Sequence, residues 1–171
     1  MASKDRILRQ KEETRNNILG AAYDIVKDEG WNGLSMRKIA DRIEYTAPII
    51  YEYFSNKEAI LEELTGKGFV KLTKELQTAI DKFEKPEDQL EAMWMTYWNF
   101  AFTNTEMYQL MFGVQMTCCA QRCSAQEGPY KLFTQVIAEV MIDSNPSQDI
   151  IKQKYFTFFS VIHGLIAINI I

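Results

Sequence analysis

The chain holds a single histidine, His163, and three cysteines, Cys118, Cys119 and Cys123, the residue types best suited to nucleophilic, redox or metal chemistry. A Cys-Cys-x-x-x-Cys run could ligate a metal or cycle between thiol and disulfide. No second cluster accompanies it, and the histidine lies far along the chain. An odd, crowded set of thiols is not a disulfide framework and points to a reducing compartment. The three are read as packed or bystander thiols, with no metal and no cofactor expected. His163 sits among Val161, Ile162, Leu165 and Ile166, and no nucleophile–base–orienter set can be assembled around it. It is either a satisfied core histidine or one polar group in a ligand pocket. A catalytic centre is not expected.

A different chemistry is written between residues 34 and 54. Arg37, Lys38 and Arg42 gather cationic side chains on one short segment, and a guanidinium can bond the edge of a guanine through two parallel N–H groups. Ser35 is placed to cap a helix whose apolar positions, Met36, Ile39, Ala40 and Ile43, follow the i, i+3, i+4, i+7 rhythm. A break falls at Glu44-Tyr45. Thr46 is placed to cap a second helix with Pro48 in its first turn, where a missing N–H costs nothing. Ile50 and Phe54, one turn apart, anchor that helix from behind. Two short helices, a tight turn and an apolar inner face describe a helix-turn-helix. The pattern alone fits a DNA-reading hairpin and an ordinary helical hairpin equally. Taken alone, Tyr51, Tyr53 and Phe54 read as core aromatics, and Lys38 and Arg42 as a solvated face.

The elements that must hold this hairpin are helical. Four prolines and eight glycines punctuate 171 residues, and no segment alternates convincingly as a strand. The spacing predicts helices over 11–29, 56–82, 86–104 and 105–112, then 129–142 and 147–171, with 114–128 unassigned. Ile18, Leu19, Ala22, Ile25 and Val26 form the inner face of the first, which Gly30 ends. Ser55 with Glu58 reads as a capping box for the fourth helix, and Asn145 with Gln148 as one for the last. Lys4, Arg6, Arg9 and Lys11 read as a mobile basic arm. The net charge of -4 divides unevenly: residues 1–58 balance ten cations against ten anions, and the remainder carries the excess. Composition alone does not suggest nucleic acid. The start has no apolar stretch, so it is not a secretory signal. The apolar run 155–171 spans fewer than the roughly 20 residues a membrane helix needs and includes His163 and Asn169. No membrane span and a cytoplasmic location are expected. Ending on Asn169-Ile170-Ile171, without a polar tail, the last helix is expected to continue beyond the sequence.

The runs Ser35-Met36-Arg37-Lys38-Ile39-Ala40-Asp41-Arg42-Ile43 and Thr46-Ala47-Pro48-Ile49-Ile50-Tyr51-Glu52-Tyr53-Phe54-Ser55-Asn56-Lys57-Glu58 resemble the TetR (tetracycline repressor-like) family. The likeness is close from about residue 11 to 65 and looser beyond. It implies an all-α fold, with a three-helix helix-turn-helix domain over 1–56 and a helical ligand-binding and dimerisation domain over 57–171. It further implies DNA contacts by Arg37, by Thr46, Ala47, Pro48 and Ile49 at the leading end of the recognition helix, by Tyr51 and Tyr53 on phosphate, and by Lys57. Two departures stand out. Glu44 occupies a turn where the family has glycine, and Glu52 adds a negative charge to the recognition helix while Ala47 offers no hydrogen bond.

Between Met93 and Met111 the chain is crowded with large apolar groups and carries one charge, Glu106. Trp94, Trp98, Phe102, Met107 and Met111, with Phe159 and His163 from the last helix, are the candidate pocket residues for a neutral or hydrophobic effector. Leu132, Val136 and Val140, together with Phe156, Phe159, Ile162, Ile166 and Ile170, exceed one chain's needs. The resemblance implies that the last two helices pair in a homodimer and that the operator is a palindrome in double-stranded DNA. A ligand-released repressor is the expected function. The alternative is a helical ligand-binding or adaptor protein with a degenerate DNA-binding head.

Overall fold

In a computed structural model, residues 2–113 and 127–170 are described, side chains from residue 4 onward. Among them are eight helices and no strand: α1 Ala2–Glu29, α2 Met36–Arg42, α3 Ala47–Tyr53, α4 Lys57–Ile80, α5 Pro86–Thr103, α6 Thr105–Phe112, α7 Glu127–Val140 and α8 Gln148–Asn169, with 3-10 turns at Trp31–Gly33 and Ile142–Ser144. The three cysteines lie outside the described residues. The chain divides into two compact units, Met1–Leu64 and Thr65–Ile171. The division falls inside α4, eight residues beyond the expected boundary at 56.

In the first unit, Ile18, Leu19, Ala22, Ile25 and Val26 of α1 are buried together with Met36, Ile39 and Ala40 of α2, Ile50 of α3, Phe54, and Ile60, Leu61 and Leu64 of α4. Two short helices cannot hold themselves together, since an isolated seven-residue helix is well below the length that is stable in water. Their fixed positions therefore come from this shared apolar seam. Gly30 takes a positive φ of 72° to end α1, and Glu44 takes φ 58° in the turn between α2 and α3. That is the left-handed geometry which a glycine would adopt without strain, and a β-carbon there costs on the order of 1 kcal/mol.

Several helix ends differ from the sequence expectation. The helix α1 starts at Ala2, not near residue 11, so Lys4, Arg6, Arg9 and Lys11 are helical and exposed rather than an arm. Neither Gly nor Pro interrupts the segment, and Asp5, Arg9 and Glu13 place opposite charges four residues apart, which favours helix. The fourth helix is capped by Asn56, whose Oδ1 accepts from the Ala59 N–H at 2.8 Å, not by Ser55. The last is capped by Ser147, which accepts from Ile150, while Asn145 sits in the left-handed region at φ 45°. Thr46 holds the N-cap position of α3 in an extended conformation without a side-chain bond. Ser35 does cap α2, through Lys38 N–H at 3.3 Å.

The second unit is built around an aromatic core: Phe69, Leu72 and Leu76 of α4, Met93, Tyr97 and Phe100 of α5, Tyr108 and Met111 of α6, Phe133, Val136 and Ile137 of α7, and Ile151, Tyr155 and Ile166 of α8. Helices α4 and α7 approach so closely that a Cβ on Gly128 would stand 2.5 Å from Thr73 Oγ1 and 3.2 Å from its Cγ2. The phase of α8 also corrects an expectation. Val136 and Ile166 are buried, and Leu132, Phe159, Ile162 and Ile170 pack against the core, so they are not a free surface. Of the residues expected at the interface, Phe156 is exposed, and the other uncovered apolar side chains of α8 are Ile150, Phe158, Val161, Leu165 and Ile168. Gly164 has nothing within 4 Å of where its Cβ would stand.

Candidate nucleic-acid interface and effector pocket

The short helix α3 is fastened from within and open on its outer side. Ile50 and Phe54 are almost fully buried, whereas Thr46, Pro48, Tyr51 and Glu52 are exposed. The cations of α2 divide by their partners. Lys38 Nζ pairs with Glu29, and Arg42 Nη2 reaches Asp28 at 3.0 Å, so both are tied back to α1. Arg37 is exposed and makes no ion pair among the described residues. A guanidinium that its own protein leaves uncompensated is the one available to an external acceptor.

The remaining candidates are held more firmly than spacing could tell. Ala47 and Ile49 are half-buried. Ile49 lines a surface groove with Ile7, Gln10 and Thr14 of α1 and with Tyr45 and Tyr53. Tyr53 is half-buried, and its carbonyl accepts from Arg15 Nη1 at 3.1 Å. Lys57 is half-buried and donates its Nζ to the Trp31 carbonyl at 3.0 Å. The structure thus brings Arg37, Thr46, Pro48 and Tyr51 to solvent and leaves Ala47, Ile49, Tyr53 and Lys57 partly engaged.

Sequence reasoning passed over Arg15. Its Nε bonds Glu63 Oε1 at 3.1 Å, its Nη2 bonds Glu63 Oε2, and its guanidinium lies over the Phe54 ring at 4.3 Å. The fork joins α1, the end of α3 and α4. The hydrogen bond with Glu63 raises the guanidinium pKa further, so the charge is permanent. Nothing in the spacing of a lone arginine on α1 signals this role.

In the second unit, a cavity of about 440 Å³ opens among α4, α5, α6, α7 and α8, walled by Phe69, Leu72, Tyr97, Phe133, Tyr155 and Phe159 and reached also by Met111. The volume suits a small organic molecule. Glu127 and Lys152 are its charged wall residues, and Glu127 pairs with Lys131 at 2.7 Å. A smaller cavity of about 210 Å³ is lined by Tyr108, Gln109, Phe112, His163, Ala167 and Ile170. Of the sequence candidates, Met111 and Phe159 face the first and His163 the second. Trp94 is packed into the core, 4.0 Å from Phe133, ring centre to ring centre. Trp98 and Phe102 lie against each other at 4.9 Å. Met107 and Met111 point their sulfurs at Gly68 of α4. The aromatic walls from α4 and α7 were missed because a pocket made by five helices has no signature in one crowded run.

A hydrogen-bonded line crosses this core. Tyr97 Oη lies 2.9 Å from Tyr108 Oη, which lies 2.5 Å from His163 Nδ1. Burial raises the Tyr97 phenol above its ordinary range and pushes Tyr108 up to about 12, so both are neutral. Burial likewise lowers the pKa of His163 and favours neutral imidazole.

A three-helix head with an exposed second hairpin helix, followed in the chain by a helical unit with an aromatic cavity, is the architecture of a DNA-binding regulator. Residues 18–64 match the family described as "Bacterial regulatory proteins, tetR family", and residues 90–170 match the "Tetracyclin repressor-like, C-terminal domain". The chain belongs to the TetR family of transcriptional regulators. Among relatives, it is 31% identical over 94 residues to an uncharacterized HTH-type transcriptional regulator of Haemophilus influenzae, covering 55% of this chain and 50% of that one. It is 23% identical over 139 residues to the HTH-type transcriptional activator FasR of Mycolicibacterium smegmatis, covering 81% and 57%. The chain spans about half the length of the curated relatives it matches. A solved protein of unknown function from Rhodococcus sp. RHA1 superposes with a TM-score of 0.78 at 22% identity, over 91% of this chain and 81% of that one, and shares the fold. Among the described residues no helix is long and apolar enough to cross a membrane.

Proposed function

We propose that the chain is a cytoplasmic repressor that binds a palindromic operator in double-stranded DNA as a homodimer and lets go when a small neutral or hydrophobic effector enters the second unit. The observation that carries the reading is the outer side of the hairpin: Arg37, without an ion-pair partner among the described residues, beside the exposed Thr46, Pro48 and Tyr51. Arg37 supplies base readout and Tyr51 phosphate contact, with Thr46, Ala47, Pro48 and Ile49 at the leading end of α3, and Tyr53 and Lys57 supporting it.

Two further features support the partners. Phe158, Val161, Leu165 and Ile168 form an uncovered seam along α8 at three- and four-residue spacing, the pattern by which paired helices interlock. A two-fold pair would bring two heads to successive major grooves, about 34 Å apart. The walls of the larger cavity are chiefly aromatic, which favours an apolar guest. Because α4 runs from the first unit into the second, an effector that displaces its second half changes the setting of the heads. The loss of DNA affinity equals the effector's preference between the two arrangements, typically 1–3 kcal/mol.

Selection from a random duplex pool, followed by anisotropy titrations over a range of salt, tests the reading. A palindrome should emerge, affinity should fall steeply with salt, and Arg37→Met should relax preference at one position in each half-site. Transcription from a promoter carrying the selected site should fall when the protein is added. The exposed Glu52 favours the alternative of a degenerate head, and a pool from which nothing is enriched would establish that alternative.

A further inference from the structure

The two cavities share one lining residue among those described, Phe112, whose ring also meets Phe69, Tyr97, Tyr108, Phe159 and His163 at centroid separations of 4.8 to 6.0 Å. At about 210 Å³ the smaller lies below the usual range for a whole ligand, so alone it suits only one end of a molecule. What distinguishes that end is the hydrogen-bonded line of Tyr97, Tyr108 and His163.

Counting protons gives this line a direction. Each phenol has one O–H to donate, and neutral imidazole has one N–H and one lone pair. A phenol is the better donor and an imidazole nitrogen the better acceptor. The stable order therefore runs Tyr97 O–H to Tyr108 O, and Tyr108 O–H to His163 Nδ1. The imidazole proton is then fixed on Nε2, for which the described residues provide no acceptor, on a side chain that lines the smaller cavity. The opposite order would leave the deeply buried Tyr97 proton in need of an acceptor within an aromatic wall.

We propose that His163 Nε2–H, held in that tautomer by Tyr108 and Tyr97, is the polar anchor of the effector site, and that the effector is a neutral, mainly apolar molecule carrying a carbonyl-type oxygen at one end. The oxygen enters the smaller cavity, the apolar body fills the larger, and the Phe112 ring between them turns aside. This deepens the effector reading above and rests on it.

Because His163 is the only histidine, nitrogen NMR of the full chain with labelled histidine reads one imidazole. The free protein should show the Nε2–H tautomer, and Tyr108→Phe should reduce that preference. Titration with 2-dodecanone should shift the Nε2 signal, and the ketone should bind about five- to tenfold more tightly than dodecane, the worth of one net hydrogen bond. His163→Phe should erase the difference between ketone and alkane. An Nδ1–H tautomer in the unmodified protein would overturn the proposal without any variant needing to fold. Equal binding of ketone and alkane with no shift at His163 would overturn the anchor yet leave an apolar effector pocket standing. Failure of both probes to bind would remove pocket and anchor together.

Discussion

Replacing Arg15 by methionine keeps the aliphatic stem and removes the fork that joins three helices. The loss has three parts. The two bonds to Glu63 form a charge-assisted pair, but Arg15 is 37% exposed and Glu63 28%, so solvent screening reduces their joint worth to about 1 kcal/mol. The bond to the Tyr53 carbonyl contributes about 1 kcal/mol. The guanidinium over Phe54 adds about 0.5–1 kcal/mol. Water can reach the groups left behind, so no large desolvation penalty follows. The sum, about 2.5–3 kcal/mol, acts on the local stability of α3 and the helix ends around it. Hydrogen exchange read by mass spectrometry on peptides covering residues 46–54 should accelerate roughly 60- to 150-fold, since each 1.4 kcal/mol is a factor of ten in the opening equilibrium. Arg15→Lys, which keeps the charge and loses the planar fork, should recover less than half of that protection. Peptides from 129–142 should be unchanged. Acceleration of threefold or less in 46–54, or an equal change in both regions, would show that the fork does not position the recognition helix.

Three other outcomes follow from the same geometry. Leu165→Glu places a charge on the uncovered α8 seam, at a side chain 48% exposed, and should yield monomers with full helical content by sedimentation and circular dichroism. The lowered pKa of His163 means that, as pH falls below about 6.5, the unfolded chain takes up the proton before the folded one does. Stability held above that pH is then progressively lost, so urea midpoints between pH 7.5 and 5.5 should drop more for the parent chain than for His163→Gln. Gly128→Ala should lower the urea midpoint, by about 1–2 kcal/mol in stability, because Thr73 is β-branched and its hydroxyl is committed to the Phe69 carbonyl at 2.7 Å. An unchanged midpoint would mean that α7 shifts freely away from α4.

The first unit was largely legible because its information is local. Ser35, Glu44, Pro48, Ile50 and Phe54 each act within a turn or two of their own position, so spacing reveals a cap, a left-handed turn, a first-turn proline and two anchors. The pairing of Lys38 with Glu29 and of Arg42 with Asp28 was not legible. Whether a surface cation is occupied or free depends on where another helix places its carboxylates, and that decides which of three neighbouring cations can meet DNA. The helical character of residues 2–10 was readable in principle from the charge spacing of Asp5, Arg9 and Glu13. The absence of an apolar face there pointed instead to an arm.

The second unit was legible in kind and not in phase. On α8 nearly every position is apolar, so the sequence offers several overlapping stripes, and only packing chooses between them. Ile166 at one phase is fully buried, while Leu165 and Ile168, beside it in sequence, are open. Tyr155, Phe159 and His163, at four-residue steps, turn their rings toward the aromatic core, which commits 158, 161, 165 and 168 to the outside. The ring pairs of α5 and α6 with Phe159 and His163 therefore fix two things at once: the side of α8 that lines the smaller cavity, and the apolar stripe left uncovered. An effector that turns Phe112 presses on Phe159 and His163 and so bears on the same helix that carries the seam. Under the proposed function, effector binding and dimer geometry would be coupled through α8 as well as through α4, and Leu165→Glu should weaken effector-dependent changes even where a monomer still binds the ketone.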